Sequence, residues 1–318
     1  MPVTNFPNGF LYGVNVRGVP ILQLHPGKVF YVNNSSVGNA GSDSQAGNYN
    51  KPFATLDYAV GKCTVSRGDI IVLMPGHAEN VATATALALD VAGISIMGLG
   101  VGTLRPSLTL ITNTTATIAV SAANISISNV RIIANKAAIV SAITLTTAKN
   151  LTLQDVDFID TSAILNFNAL IDTNTTSNAA DGLTLINCNW YGLSAETNTT
   201  CILMDGTNRG LEVKGCYFTH AGVADYPGFM KIADGKVVTD AKIIKNIFNF
   251  VNVSSATGGV LIVTDGSTNS GVIAENFVKH LDATTEVLVT ASSGFVFHDN
   301  KASAVADKSG YLLPAADA

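Results

Sequence analysis

The chain has 318 residues and a net charge of −5, with 47% hydrophobic but only 13% charged residues. Soluble domains typically carry about 25% charged residues, so this surface is built mainly from Ser, Thr, Asn and Ala, and part of it is expected to be covered by a partner. No basic block is present to neutralise phosphates, which excludes nucleic acid as a partner, and no apolar run approaches the ~20 residues that span a bilayer.

Residues 1–30, "MPVTNFPNGFLYGVNVRGVPILQLHPGKVF", are broken by Pro and Gly every few positions and fit neither a helix nor a long strand. They carry Phe6, Phe10, Leu11, Tyr12, Ile21 and Leu22. The segment reads as an extended arm that either packs along its own body or docks on a neighbouring subunit or partner, with those six residues as candidate partner contacts. It shows no basic stretch followed by an apolar one, so no secretory leader is expected. Cys63, Cys188, Cys201 and Cys216 have neither CxxC spacing nor His partners at zinc-site distances. They read as buried thiols of a protein made in a reducing cytoplasm, with no metal or cofactor.

Residues 31–90 read as a Gly/Asp/Asn-rich leading loop, a capping helix and a first coil. In "NKPFATLDYAVGKC", Asn50 is a candidate N-cap, Pro52 lies in the first turn, and Phe53, Leu56, Val60 and Cys63 follow at helical spacing. A buried strand then runs into a Pro-Gly turn in "RGDIIVLMPGHAENV". His77 and Glu79 match H-x-E, but the P-C-x-x-C that a zinc deaminase needs is absent, so the pair is assigned to a turn.

From residue 91 to 303 the chain repeats. Eight segments share one pattern: "ISIMGLGV" from Ile94, "ISISNVRI" from Ile125, "LTLQDVDF" from Leu151, "LTLINCNW" from Leu183, "LEVKGCYF" from Leu211, "AKIIKNIF" from Ala241, "GVIAENFV" from Gly271 and "FVFHDNKA" from Phe295. Their starts lie 24 to 32 residues apart, within the period range of stacked architectures. The third position is apolar in all eight, from Ile96 to Phe297, and the eighth runs Val101, Ile132, Phe158, Trp190, Phe218, Phe248, Val278, Ala302. Short strands and polar turns such as "CILMDGTNRG" precede most segments. Strand, turn and strand at a fixed repeat predict an all-β, parallel β-helix of about eight coils. The sixth position ends in Cys188, Cys216, Asn246, Asn276, Asn300. The amides are expected to form a structural ladder along the interior, and the two cysteines to stack as free thiols. Residues 304–318 read as a short C-terminal tail.

The stretch "YVNNSSVGNAGSDSQAGNYNKPFATLDYAVGKC" followed by "GDIIVLMPGHAENV" resembles the opening of pectin-lyase-like right-handed β-helix proteins. With "TNFPNGFLYGVNVRGVP" ahead of it, the N-terminus also resembles β-helix proteins of tailed-phage virions. The resemblance implies the fold, the handedness and side-by-side association as a homotrimer. For function it implies several possibilities, because that superfamily includes lyases, hydrolases, tailspikes and non-catalytic virion components.

For chemistry the best candidates are Asp155 and Asp157 in "DVDFID", expected two apart on one strand and both outward, with Arg131 one coil below. Glycoside hydrolysis uses two carboxylates ~5–10 Å apart; an Arg131–Asp157 surface pair explains the cluster without chemistry. Asp172, Asp205, Glu212 and Asp234 fall at different offsets, and nothing in the pattern forces a second carboxylate beside any of them. The expected function is therefore a non-catalytic virion protein that decorates or cements the capsid surface, bound to the major capsid protein or another virion protein. The alternative is a tailspike or fibre component that binds or cleaves a host glycan, with Trp190, Tyr191, Tyr217 and Tyr226 as its aromatic groove.

Overall fold

The computed structural model describes residues 15–16, 19–20, 27–35, 39–193, 200–220, 228–250, 260–264, 268–279, 294–303 and 310–311. These residues form an all-β parallel solenoid of about six turns with almost no helix. Three sheets run along it, of ten, ten and seven strands. Six of the eight expected coils, the turns from Ser95–Gly98 to Val260–Val263, carry strands on all three faces, as does the turn ahead of them, Ile70–Leu73, Ala78–Val81 and Ala88–Leu89. The last two repeat segments have described strands on two faces only.

The eight repeat segments do lie in sequence as neighbouring rungs of one sheet. Their third positions pair directly, Ile96 with Ile127, then Leu153, Leu185, Val213, Ile243, Ile273 and Phe297. All but Phe297 are fully buried. Each such side chain removed from water contributes about 1.5–3 kcal/mol, so this column is one spine of the core.

Seven of the eight segments, from Ile125 onward, are not one strand but two, bent at the fifth position. That position holds Asn129, Asp155, Asn187, Gly215, Lys245, Glu275 and Asp299, every one with φ between 49 and 65°. Asn, Asp and Gly tolerate the left-handed region best, which is why they lead the column. A second left-handed column, Gly93, Asn124, Asn150, Gly182, Gly210 and Asp240, stands just before the segments and turns the chain in from the third face. Beyond the bend the second sheet stacks Ile132, Phe158, Trp190, Phe218, Phe248 and Val278 in register. The Phe218 and Phe248 rings are stacked, 5.7 Å apart.

Val101 does not belong to that inward column; it is exposed. A 3-10 turn at Gly102–Leu104 delays the second strand of its coil to Ser107–Leu110, and Leu108 takes the buried place opposite Ile132.

Helix α1 spans only Leu56–Val60, and its N-cap is Thr55 rather than Asn50. Thr55 Oγ1 accepts the Tyr58 N–H, and Glu79 Oε2 accepts that of Leu56 at 2.9 Å. Asn50 is used elsewhere, in a tight turn closed on the Asn48 side chain, and Phe53 forms a parallel bridge with Val32. With Pro52 and Phe53 held extended, a helix over 52–63 cannot form. Leu56, Ala59 and Val60 face the core, against strands Val29–Val32, Ile70–Leu73 and Ala88–Leu89. Phe53 and Gly47 pair along the outer edge of Val29–Val32, so the leading loop covers that sheet edge. In the arm, Asn15–Val16 and Val19–Pro20 pair antiparallel, two residues each.

Candidate functional site

The outward face of the second sheet gathers the polar and aromatic side chains that could meet a ligand. Adjacent rungs place Arg131, Asp157, Asn189 and Tyr217 in one column, with direct register from each to the next. Asp157 sits at its middle and is fully engaged. Arg105 Nη1 donates to Asp157 Oδ2 at 2.5 Å, and Asn189 Nδ2 donates to Oδ1 at 2.8 Å. The partner of Asp157 is therefore Arg105, reaching across from the delayed turn, and not Arg131. Arg131 instead donates to the carbonyl oxygens of Thr103 and Arg105. A guanidinium on the neighbouring strand is held by the bulge of the 3-10 turn, while Arg105, which follows that turn, points up the face.

Asp155 is not Asp157's neighbour on a strand. It occupies the left-handed corner, with φ 52°, and Asp157 begins the next strand. Asp155 therefore stands at the bend and Asp157 on the strand beyond it, and the two do not share one strand face. Arg105 further ties the corner down by donating to the Asp155 carbonyl. Tyr191 lies exposed beside this group; partial burial, with the nearby Asp157 and Tyr217 adding to it, pushes its phenol above the ordinary range. Trp190, expected in the groove, is fully buried and packs against His220 at 5.3 Å. Tyr226 lies outside the described residues.

The structure brings together two carboxylates that the repeat pattern kept apart. Asp172 ends a strand of the third sheet, and Asp205 follows the neighbouring strand. Burial raises the Asp172 carboxyl above its usual range; a hydrogen bond from the Asn174 N–H opposes this and the charge of Asp205 adds to it. The repeat pattern does not reveal the pair, because Asp172 closes its strand while Asp205 lies just past the neighbouring one, opposite no repeat position. Among the described residues, no cluster of three or more His, Cys, Asp or Glu could hold a metal.

His77 and Glu79 are both buried and 3.1 Å apart. His77 Nδ1 accepts the Asn34 N–H, so Nε2 carries the proton and donates to Glu79, which in turn receives the first N–H of α1. The pair links the leading loop, the helix and the first coil, and neither group faces solvent.

Inside the solenoid the sixth-position column is a continuous hydrogen-bond chain. Asn276 Oδ1 accepts both the backbone N–H and the side-chain amide of Asn246, each at 3.0 Å. Asn300 Oδ1 does the same for Asn276 at 3.1 and 2.9 Å. The amides also donate to the carbonyls of Val213, Ile243 and Ile273. Cys216 N–H donates to Asn246 Oδ1, and Cys188 N–H to Cys216 Sγ. All four cysteines are free. The neighbouring Cys216 sulfur and burial hold the Cys188 thiol well above its usual range, and burial pushes Cys63 up to about 12. Phe6, Phe10, Leu11, Tyr12, Ile21 and Leu22 lie outside the described residues.

No family model and no curated protein sequence matches the chain. Solved structures do. Pectate lyase Pel9A is 14% identical over 91% of this chain and 80% of its own, with a TM-score of 0.54. A pectin methylesterase variant in complex with a hexasaccharide is 13% identical over 91% of this chain and 93% of its own, with a TM-score of 0.50. ORF18 of Geobacillus virus E2 is 13% identical over 87% of this chain and 61% of its own, with a TM-score of 0.41. The first two likenesses are of fold, and the fold is the pectate-lyase-like right-handed parallel β-helix.

Proposed function

We propose that the protein is a non-catalytic structural component of a tailed-phage virion. In this reading it is a decoration or cement protein on the outer capsid surface, bound as a homotrimer to the major capsid protein or another virion protein after synthesis in the host cytoplasm. The observation that carries the reading is the make-up of the outward faces. Tyr191, Ile247, Phe277, Val272 and Val296 are exposed on a chain with only 13% charged residues, and contiguous exposed apolar surface marks interaction sites. The carboxylate best placed for chemistry, Asp157, is occupied by Arg105 and Asn189. The phage setting rests on the resemblance of the N-terminal segments. Helix α1 covers the N-terminal end of the solenoid, and residues 1–30 form a strap whose apolar side chains meet the particle.

The test is binding to capsids that lack the protein. The full chain should saturate them, and a chain beginning at Gly27 should stay folded yet fail to bind. The boundary follows from Lys28, whose N–H donates to Asp69 at 2.6 Å and must be kept. Full occupancy by the shortened chain would sink the strap assignment and move the contact to the long-loop face.

A second reading is a tailspike or fibre component acting on host polysaccharide. It is favoured by Tyr191, Tyr217, Asn189 and Asp157 sharing one face, since aromatic rings beside amides suit sugar rings. Depolymerisation of host surface glycan by the purified protein would select it.

A further inference from the structure

We infer that the copies in this oligomer meet through two unlike apolar patches that flank one corner of the solenoid near its C-terminal end. The inference rests on the homotrimer reading and names its interface.

On the second sheet, Ile247 and Phe277 are stacked in direct register and are 42% and 40% exposed. On the first sheet, Val272 and Val296 are likewise in register and are 41% and 61% exposed. The two patches stand at the same level of the rod: Val272 and Phe277 belong to one turn, on either side of the corner residue Glu275. Inward positions on the same strands hold Ile273, Phe248 and Val278, all buried, so the exposed four are extra to the core. Apolar side chains at adjacent rungs of two faces leave a surface that water wets poorly.

Level patches on two faces that share a corner fit one kind of assembly. Rotating a copy about an axis parallel to the rod brings the second-sheet patch of one copy onto the first-sheet patch of the next. The contact is between unlike surfaces, so it closes only as a ring, and three is the smallest ring that a bent corner allows. Charge agrees with the placement. Lys301, exposed on the next rung of the second sheet, pairs in register with Phe277. The exposed Asp299, whose carboxylate lies 3.0 Å from His298 Nε2 in the same copy, stands at the corner one residue beyond the first-sheet strand. In the ring, Lys301 of one copy approaches Asp299 of its neighbour.

The test uses the purified full chain, without particles, so its outcome is independent of capsid binding. Phe277→Cys and Val296→Cys are made singly and together, and each protein is oxidised and sized under denaturing conditions, with the parent chain as control for its own thiols. The doubly substituted chain should give covalent species up to three times the 33.0 kDa of one chain, and each single variant should give none. Val296→Glu, at a site already mostly exposed, should keep a β-rich spectrum and lower the mass by light scattering three-fold. Cross-linking by Phe277→Cys alone would indicate a contact between like faces and overturn the inference. So would a β-rich Val296→Glu protein that keeps the parent's mass. A parent chain that scatters as a monomer would overturn the homotrimer itself.

Discussion

Asn276 Oδ1 accepts two hydrogen bonds from one residue, the backbone N–H and the side-chain amide of Asn246, each at 3.0 Å. The geometry fixes the spacing of successive rungs from inside the core. It leaves the Asn246 N–H and one of the two amide hydrogens dependent on a single oxygen, the other amide hydrogen being held by the Val213 carbonyl. A buried donor that loses its acceptor costs about 1–3 kcal/mol. Asn276→Ala strands both donors and opens a cavity, so it should lower stability by about 3 kcal/mol or more. Asn300→Ala, one rung further along, strands the Asn276 donors and should behave similarly. Urea unfolding of both variants checks this; midpoints within error of the parent would mean the ladder contributes nothing net.

His220 is buried, and burial lowers its pKa to about 4 from the ordinary 6.5. The unfolded chain therefore binds a proton between those values that the folded one excludes, and the folded state loses stability as pH falls through that window. The loss should begin near pH 6.5 and level off near pH 4, at about 1.4 kcal/mol per unit and on the order of 3 kcal/mol in all. Other groups titrate in the same range, so the readout is the difference between the parent and His220→Phe. Parallel stability curves for the two from pH 7 to 4 would contradict the assignment.

The thiols should be inert while the chain is folded. Cys188, Cys201 and Cys216 are buried out of a reagent's reach, and Cys63 is half-buried with its pKa near 12, so at Cys63 little thiolate forms at neutral pH. A thiol reagent at pH 8 should label essentially nothing in minutes and four groups after denaturation. Rapid native labelling, or a 188–216 bridge in non-reducing mass analysis, would go against the stacked arrangement.

Arg105 should matter more than Arg131. Arg105→Ala leaves the Asp157 carboxylate, only 15% exposed, without its cation, and should cost about 1–3 kcal/mol. Arg131→Ala removes two bonds to carbonyl oxygens near the surface and should cost less than about 1 kcal/mol. Equal losses in thermal or urea unfolding would mean the ion pair is incidental. Replacing Asp155 and Asp157 together with Asn should leave particle binding intact; loss of a glycan-depolymerising activity in that variant would favour the tailspike reading.

Much of this architecture is readable from the residues. The apolar third positions, from Ile96 to Ile273, are the buried spine, and Asn246, Asn276 and Asn300 share one inward column because the repeat length keeps register. What the repeat could not convey is where the chain bends. Asn129, Asp155 and Asn187 are recognisable as left-handed residues only once their φ values are known, and without that bend Asp155 and Asp157 look like strand neighbours. Local insertions have the same effect: three residues at Gly102–Leu104 displace Val101 from the core and bring Arg105 to Asp157. Thr55 wins the cap from Asn50 because Phe53 is already committed to a bridge with Val32. Asp172 and Asp205 are not legible as a pair because Asp172 ends a strand and Asp205 is a loop residue, which obeys no repeat.

The central claim is that this β-helix is a virion building block rather than an enzyme of the infected cell or a tail component. Quantitative mass spectrometry of purified virions, scaled to the major capsid protein, tests it most directly. The account predicts hundreds of copies per particle, in a fixed ratio to the capsid protein. A handful of copies would place the protein in the tail, and none would contradict the claim altogether.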